Sequence, residues 1–138
     1  MTIKIAGKSD LESLFELNKL FENDAAKEEM EMLLGKNDNE LVAIAYFDGY
    51  AAGFCTGLVI RSICYKKSRL DIESLFVKEE YRKKGIGRAL VEFIEKEASL
   101  RKINHFHITV NKEKTGAIKL YESAGYANTG EILLDKTL

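Results

Sequence analysis

Leu75-Phe76-Val77-Lys78-Glu79-Glu80-Tyr81-Arg82-Lys83-Lys84-Gly85-Ile86-Gly87-Arg88-Ala89-Leu90 is the stretch that decides the fold. An apolar strand end gives way to a polar loop with two glycines, and the loop opens a helix. Ile86, Leu90, Ile94 and Ala98 recur every four residues, the mark of an amphipathic helix. The first N–H groups of such a helix have no internal partner, and the helix dipole adds partial positive charge there. An anion fits that place. Gly85 and Gly87 remove Cβ atoms that would hold a phosphate away from the backbone. Arg82, Lys83, Lys84 and Arg88 add full charges.

Working outward, residues 69–77 read as the strand that feeds this loop, and residues 104–110 as the strand that follows the helix. A strand–helix–strand unit implies two parallel strands with a right-handed crossover. Upstream, residues 41–47 are nearly all apolar, as in a strand covered on both faces. Asp48-Gly49 then marks a two-residue hairpin turn, with residues 51–60 as the returning strand. Residues 2–6 alternate like a first strand. Ser9-Asp10-Leu11-Glu12 has the form of a capping box at the start of a first helix. A second helix covers 25–34 and stops at Gly35. Downstream, 115–123 is a short helix ending at Gly125, and 126–138 splits around Asn128-Thr129-Gly130 into a closing hairpin. The order is β-α-α-β-β-β-α-β-α-β-β: an α/β class of fold, with a mixed sheet and helices on both faces.

The bulk properties agree with one globular domain over residues 1–138. Hydrophobic residues make up 46% and charged residues 31%, proline is absent, and no apolar run approaches the roughly 18 residues that span a bilayer. Residues 1–5 carry no apolar targeting segment, so a cytoplasmic protein is expected. Cys55 and Cys64 sit in or beside apolar stretches and read as small core residues rather than a disulfide framework. His105 and His107 stand at strand spacing with no neighbouring cysteine, and no metal site is expected. The net charge of −1 argues against a general nucleic-acid binder. Its distribution says more. Residues 22–40 hold seven acids against two lysines, and residues 78–88 hold five bases against two acids. An acidic zone and a basic zone suit a protein that handles a cation and a phosphate, although solvated surfaces give the same pattern.

Two strings are more specific than any single glycine. Arg82-Lys83-Lys84-Gly85-Ile86-Gly87 matches the R/Q-x-x-G-x-G/A signature of the GNAT N-acetyltransferases. Ala117-Ile118-Lys119-Leu120-Tyr121-Glu122-Ser123-Ala124-Gly125-Tyr126 is similar to that family's A-I-x-L-Y-E-x-x-G-F block, with Tyr126 for the usual Phe. The order of elements also resembles the family's acyl-CoA N-acyltransferase fold, most specifically over 70–126. The resemblance implies that the backbone of 82–88 (Arg82, Lys83, Lys84, Gly85, Ile86, Gly87, Arg88) binds the pyrophosphate of acetyl-CoA. It implies that the backbone of Leu75, Phe76 and Val77 pairs with the pantetheine arm like an added strand. It implies a cleft for the thioester between splayed strands 69–77 and 104–110, and an acceptor site walled by the first two helices. Relatives often carry Asn where this chain has Lys114, three residues before Ala117, and Asn111 lies three residues earlier still. That pantetheine contact is therefore in doubt.

Acyl transfer to an amine needs a base for the ammonium and an acid for the departing thiolate. The family block places Tyr121 as the acid, a phenol protonated at neutral pH. Glu73 interrupts an otherwise mostly apolar strand, where a carboxylate is costly to bury. Its position resembles that of the base in several relatives. An ion-paired or partly exposed structural glutamate is an equal reading, and Asp71 on the same face is a weaker candidate. His105 and His107 have the right intrinsic pKa for a base but lie beside basic Arg101-Lys102, as solvated residues do. Tyr46 and Tyr50 flank the hairpin turn and are candidate acceptor-site walls. The acidic zone points to a cationic acceptor: a small amine, a polyamine, an aminoglycoside or a lysine side chain of a peptide. No membrane or nucleic-acid partner is expected, and the homodimer seen in many relatives is possible. Two rival readings remain: a non-catalytic acyl-CoA sensor on the same fold, and a nucleotide-binding module. The second lacks the P-loop lysine-serine and a magnesium carboxylate set.

Overall fold

A computed structural model describes all residues, 1–138. It divides into two compact units, Met1–Ile108 and Thr109–Leu138. In the first unit a five-stranded sheet runs in chain order: β1 (Thr2–Ile5), β2 (Glu40–Phe47), β3 (Tyr50–Ile60), β4 (Arg69–Val77) and β5 (Phe106–Ile108). The first four strands are antiparallel neighbours, and β4 and β5 are parallel. Helices α1 (Leu11–Leu20) and α2 (Lys27–Leu33) lie between β1 and β2, and α3 (Ile86–Leu100) lies between β4 and β5. The second unit holds α4 (Thr115–Ser123).

Alternation along the strands assigns the helices to opposite faces of the sheet. Ile44 and Phe54 are register partners, and both belong to one buried cluster with Leu14 and Leu17 of α1. Their neighbours Ala43 and Cys55, also partners, face the other way, where α3 packs on β2, β3 and β4. Burial pushes the Cys55 thiol up to about 12, with Glu95 of α3 adding to the shift. On the α3 face of β2, Ala43 and Ala45 are fully buried. Its buried stripe is Ile86, Leu90, Val91, Ile94 and Ala98, as the four-residue spacing predicts. Burying each large member of that stripe contributes about 1.5–3 kcal/mol. On the α1 face, Phe21 lies 5.3 Å from Phe76 and 6.1 Å from Phe54, ring centre to ring centre. The aromatic trio ties the end of β4 to α1.

Glycines fit the strands together at two places. A Cβ at Gly53 would lie 2.5 Å from the Phe76 carbonyl, and one at Gly57 would lie 2.7 Å from Leu70 Cδ2. Asp48 and Gly49 both take positive φ (51° and 83°), the conformation that the hairpin turn requires.

Four expectations need correction: Cys64, read as a core residue, is exposed, and three elements differ. The first helix is not capped by Ser9 and Glu12. A short 3-10 turn at Lys8–Asp10 precedes it, and the Gly7 N–H donates to Asp10 Oδ2 at 2.8 Å. Residues 104–110 supply only a three-residue strand. The closing hairpin over 126–138 does not form, and no residue there belongs to a strand. Local bonds compete with it: the Gly130 N–H donates to Asn128 Oδ1 (2.8 Å) and the Glu131 N–H to Thr129 Oγ1 (3.3 Å). Ile132, Leu133 and Leu134 are left exposed. No helix is long and apolar enough to cross a membrane.

Asp10 is 3% exposed, and its bonds hold β1, α1 and β2 together. Besides the Gly7 N–H it accepts the Tyr46 hydroxyl (2.6 Å) and faces Lys4 Nζ (3.0 Å). Burial pushes the carboxyl up, but the Gly7, Tyr46 and Lys4 donors outweigh it and the net shift is downward. A lowered carboxyl stabilises the fold above its unfolded pKa and loses that contribution as pH falls through the folded value. Asp10→Asn should therefore cost about 1–3 kcal/mol at pH 7. The gap to the parent chain should close as pH falls below about 4 in urea titrations. A gap that stays constant down to pH 2 would assign the loss to packing rather than charge.

Candidate active site

β4 carries the site because its two ends are treated differently. At its start, Leu70, Asp71 and Ile72 pair with Phe106, His107 and Ile108 of β5. Beyond Ile72 that ladder stops. Leu75, Phe76 and Val77 keep β3 as neighbour on one side, through Cys55, Phe54 and Gly53, and have no strand on the other. That edge of their backbone pairs with no strand and, apart from the Val77 carbonyl that Arg82 takes, can meet an extended ligand.

The loop that follows is shaped by its own residues. The Arg82 Nε donates to the Val77 carbonyl at 2.9 Å, and the guanidinium lies 6.0 Å from the centre of the Phe76 ring. Lys84 Nζ stands 5.5 Å from the Phe47 ring centre. Lys83 and Gly85 take positive φ (62° and 79°), so the chain turns sharply into α3. Gly85 is the N-cap, with no side chain bonding the first turn, and no acid stands in that turn. A Cβ at Gly85 would meet nothing within 4 Å, so open space lies beside this backbone. Lys83 and Lys84 are exposed, and Arg88 pairs with Glu92 at 2.8 Å. Free N–H groups, four cations and open space fit a phosphate group.

On the α1 face of the same unit lies a cavity of about 810 Å³. Leu14 and Asn18 of α1, Glu29, Met30 and Leu33 of α2, and strands β2 to β4 supply its walls. Five carboxylates line it (Asp24, Glu29, Asp38, Glu40, Glu73) against one guanidinium, Arg101. The acidic zone of the sequence thus lies where the first two helices wall a cavity. Glu73 reaches the cavity through a β-bulge. Thr56 pairs with Ser74 and Gly57 with Ile72, so Glu73 is the extra residue of β4 and is exposed. Sequence reasoning set it in a regular strand.

Glu40 was not anticipated as a site residue. It stands at the start of β2, half-buried, on the same cavity. Burial pushes its carboxyl up, the Asn37 side chain pulls it down, and the charge of Glu73 pushes it up again. The only sequence signal was a carboxylate abutting the apolar run 41–47. Other candidates fall elsewhere. Tyr46 bonds Asp10, Tyr50 is exposed, and neither lines the cavity. Asp71 is held by Arg69 at 2.8 Å.

In the second unit, Tyr121 is half-buried on α4, and its ring lies edge-on to Tyr126 with centres 6.1 Å apart. The Tyr126 N–H donates to the Tyr121 carbonyl at 3.0 Å, closing the helix before Gly125 at φ 100°. Asn111 spends its side-chain oxygen on the Glu113 N–H (2.9 Å), and Lys114 is exposed at the start of α4.

Glu40 yields a direct check. A carboxyl whose pKa is raised by folding binds its proton more tightly in the native state, so it lowers stability as pH rises past its unfolded value. Glu40→Gln should raise the melting temperature at pH 7–8 and leave it unchanged near pH 4. A stabilisation equal at both pH values would rule out the charge as its cause.

Comparison with known proteins identifies the family and the fold. Residues 10–126 match the model of the acetyltransferase (GNAT) family. N-acetyltransferase family 8 member 3 of Rattus norvegicus is 27% identical over 88 residues. That match takes in 64% of this chain and 39% of the rat protein. Among solved structures, an aminoglycoside acetyltransferase from an uncultured soil metagenomic sample, in complex with sisomicin, superposes with a TM-score of 0.86. It has 20% identity, with 99% of this chain and 95% of that one covered. AAC(6')-Iy in complex with the bisubstrate analogue CoA-S-monomethyl-acetylneamine gives 0.85 at 19% identity, covering 99% and 97%. Ribosomal-protein-alanine N-acetyltransferase from Brucella melitensis biovar Abortus 2308 gives 0.82 at 18%, covering 99% and 100%. These structures share the fold, and the family match over residues 10–126 makes this chain a member of the GNAT acetyltransferase family.

Proposed function

We propose that the chain is an acetyl-CoA-dependent N-acetyltransferase whose acceptor is a small cationic amine. The observation that carries this reading is the uncapped, cation-ringed first turn of α3 directly after the one-sided end of β4. The relative bound to a CoA bisubstrate analogue supports the donor, and the relative bound to sisomicin supports a polycationic acceptor. The family match, which runs through both compact units, supports a single functional domain over 1–138.

Acetyl-CoA, when bound, supplies the acyl group as a thioester. The N–H groups of residues 85–88, with Arg82, Lys83, Lys84 and Arg88 around them, hold its pyrophosphate. The free backbone edge of Leu75, Phe76 and Val77 pairs with the pantetheine arm. The carboxylates of the cavity draw in the acceptor ammonium. An alkylammonium has a pKa near 10, so a base must take its proton before it attacks. Glu73 takes that proton, directly or through a water. Tyr121 gives its phenolic proton to the departing sulfur, a role assigned from its place in the family block. Glu40 is the second candidate base, because burial and the Glu73 charge bring its carboxyl closer to neutrality.

The decisive experiment is free-thiol release from acetyl-CoA over polyamines, aminoglycosides, amino acids and lysine peptides. Release with multiply charged amines is expected. No release, with CoA binding shown by a thermal shift, would replace the enzyme with a CoA-binding regulator. Tyr121→Phe should keep CoA affinity and lose turnover by about a hundredfold or more. Intact turnover would make Tyr121 structural. Glu73→Gln should lose rate in a way that fades as pH approaches 10, where the free amine dominates. If Glu40→Gln shows that profile instead, Glu40 is the base.

A further inference from the structure

His105 and His107 bracket Phe106 on β5, so both side chains stand on one face of the strand. Their Nε2 atoms lie 3.0 Å apart, with the rings edge-on at 67°. His107 Nδ1 faces Asp71 Oδ1 across 3.9 Å, and Asp71 is the register partner of His107 on β4. Arg69 fixes that carboxylate through two bonds, Nε at 2.8 Å and Nη2 at 3.3 Å. Asp71 on the Nδ1 side of His107 favours a proton there, so Nε2, which faces His105 Nε2 at 3.0 Å, is the nitrogen left to bind a metal. Both histidines are exposed.

We propose that His105 and His107 form a two-imidazole site for a divalent transition metal, its other positions filled by water. The separation selects the metal. With metal–nitrogen bonds of about 2.05 Å, two nitrogens 3.0 Å apart subtend about 94° at the ion. That is the cis angle of square-planar and octahedral centres; a tetrahedral zinc site needs about 3.3 Å. Nitrogen-rich tetragonal sites suit Cu²⁺ and Ni²⁺. No group of three or more His, Cys, Asp or Glu is placed to hold a metal ion together, so this is a two-ligand site, open to solvent.

The test is titration of the full, tag-free chain with Cu²⁺, Ni²⁺ and Zn²⁺ by calorimetry, with electron paramagnetic resonance of the copper form. One Cu²⁺ per chain is expected, with splitting from two imidazole nitrogens, tighter than Zn²⁺. His105→Ala and His107→Ala, both surface changes, should each lose the two-nitrogen signal with unchanged circular dichroism. Asp71→Asn should keep the signal and weaken affinity about tenfold. Absence of binding, or binding unchanged in both histidine variants, would overturn the site and leave a hydrogen bond between the rings. Zn²⁺ binding as tightly as Cu²⁺ would overturn the cis geometry.

Discussion

The site depends on one constraint: β4 is held on both sides at its start and on only one side at its end. The parallel ladder with β5 lasts from Leu70 to Ile72. After it, the antiparallel bond to β3 and the Phe21–Phe54–Phe76 cluster hold the strand alone. Were β5 longer, Leu75 to Val77 would be interior backbone with nothing to offer a ligand. The same strand delivers the chain into the Gly85 turn, so the open edge and the open helix end arise from one path. The bulge at Glu73 falls at the change from two-sided to one-sided pairing, where an extra residue disturbs the fewest bonds.

Charge is sorted by face and by end. The cations of 82–88 sit on a turn and helix end, where backbone dipoles already favour an anion. The carboxylates gather in a cavity floored by strands and roofed by α1 and α2. Crowding acts at Glu40, whose carboxyl is raised by burial and by Glu73. Asp10 goes the other way although it is more buried, because three donors converge on it. The contrast separates a structural carboxylate, satisfied by its neighbours, from one left facing a cavity.

Much of this was legible in the residues. The period of α3, the Asp48-Gly49 turn and the apolar runs of β2 and β3 state their conformations locally, and the structure follows them. The turn from β4 into α3 was legible because a strand end, glycines and a helical period stand together in sequence. The role of Asp10 was missed because the Tyr46 hydroxyl, 36 residues along the chain, meets it only in three dimensions. Glu40 was missed for the same reason: its neighbour Glu73 is two strands away. The closing hairpin was overpredicted, since alternation says which face a strand would bury but not that a partner edge is there to receive it.

The two ends of the site are made of different material, and this bears on how the protein changes over generations. The proposed phosphate grip is mainly main-chain N–H, which substitutions other than to proline, or to a new Cβ at the glycines, leave in place. The cavity proposed for the acceptor is lined by side chains from two helices, their loops and strands β2 to β4. On the proposed reading, descendants of such a chain keep one co-substrate almost by default while sampling new acceptors a residue at a time.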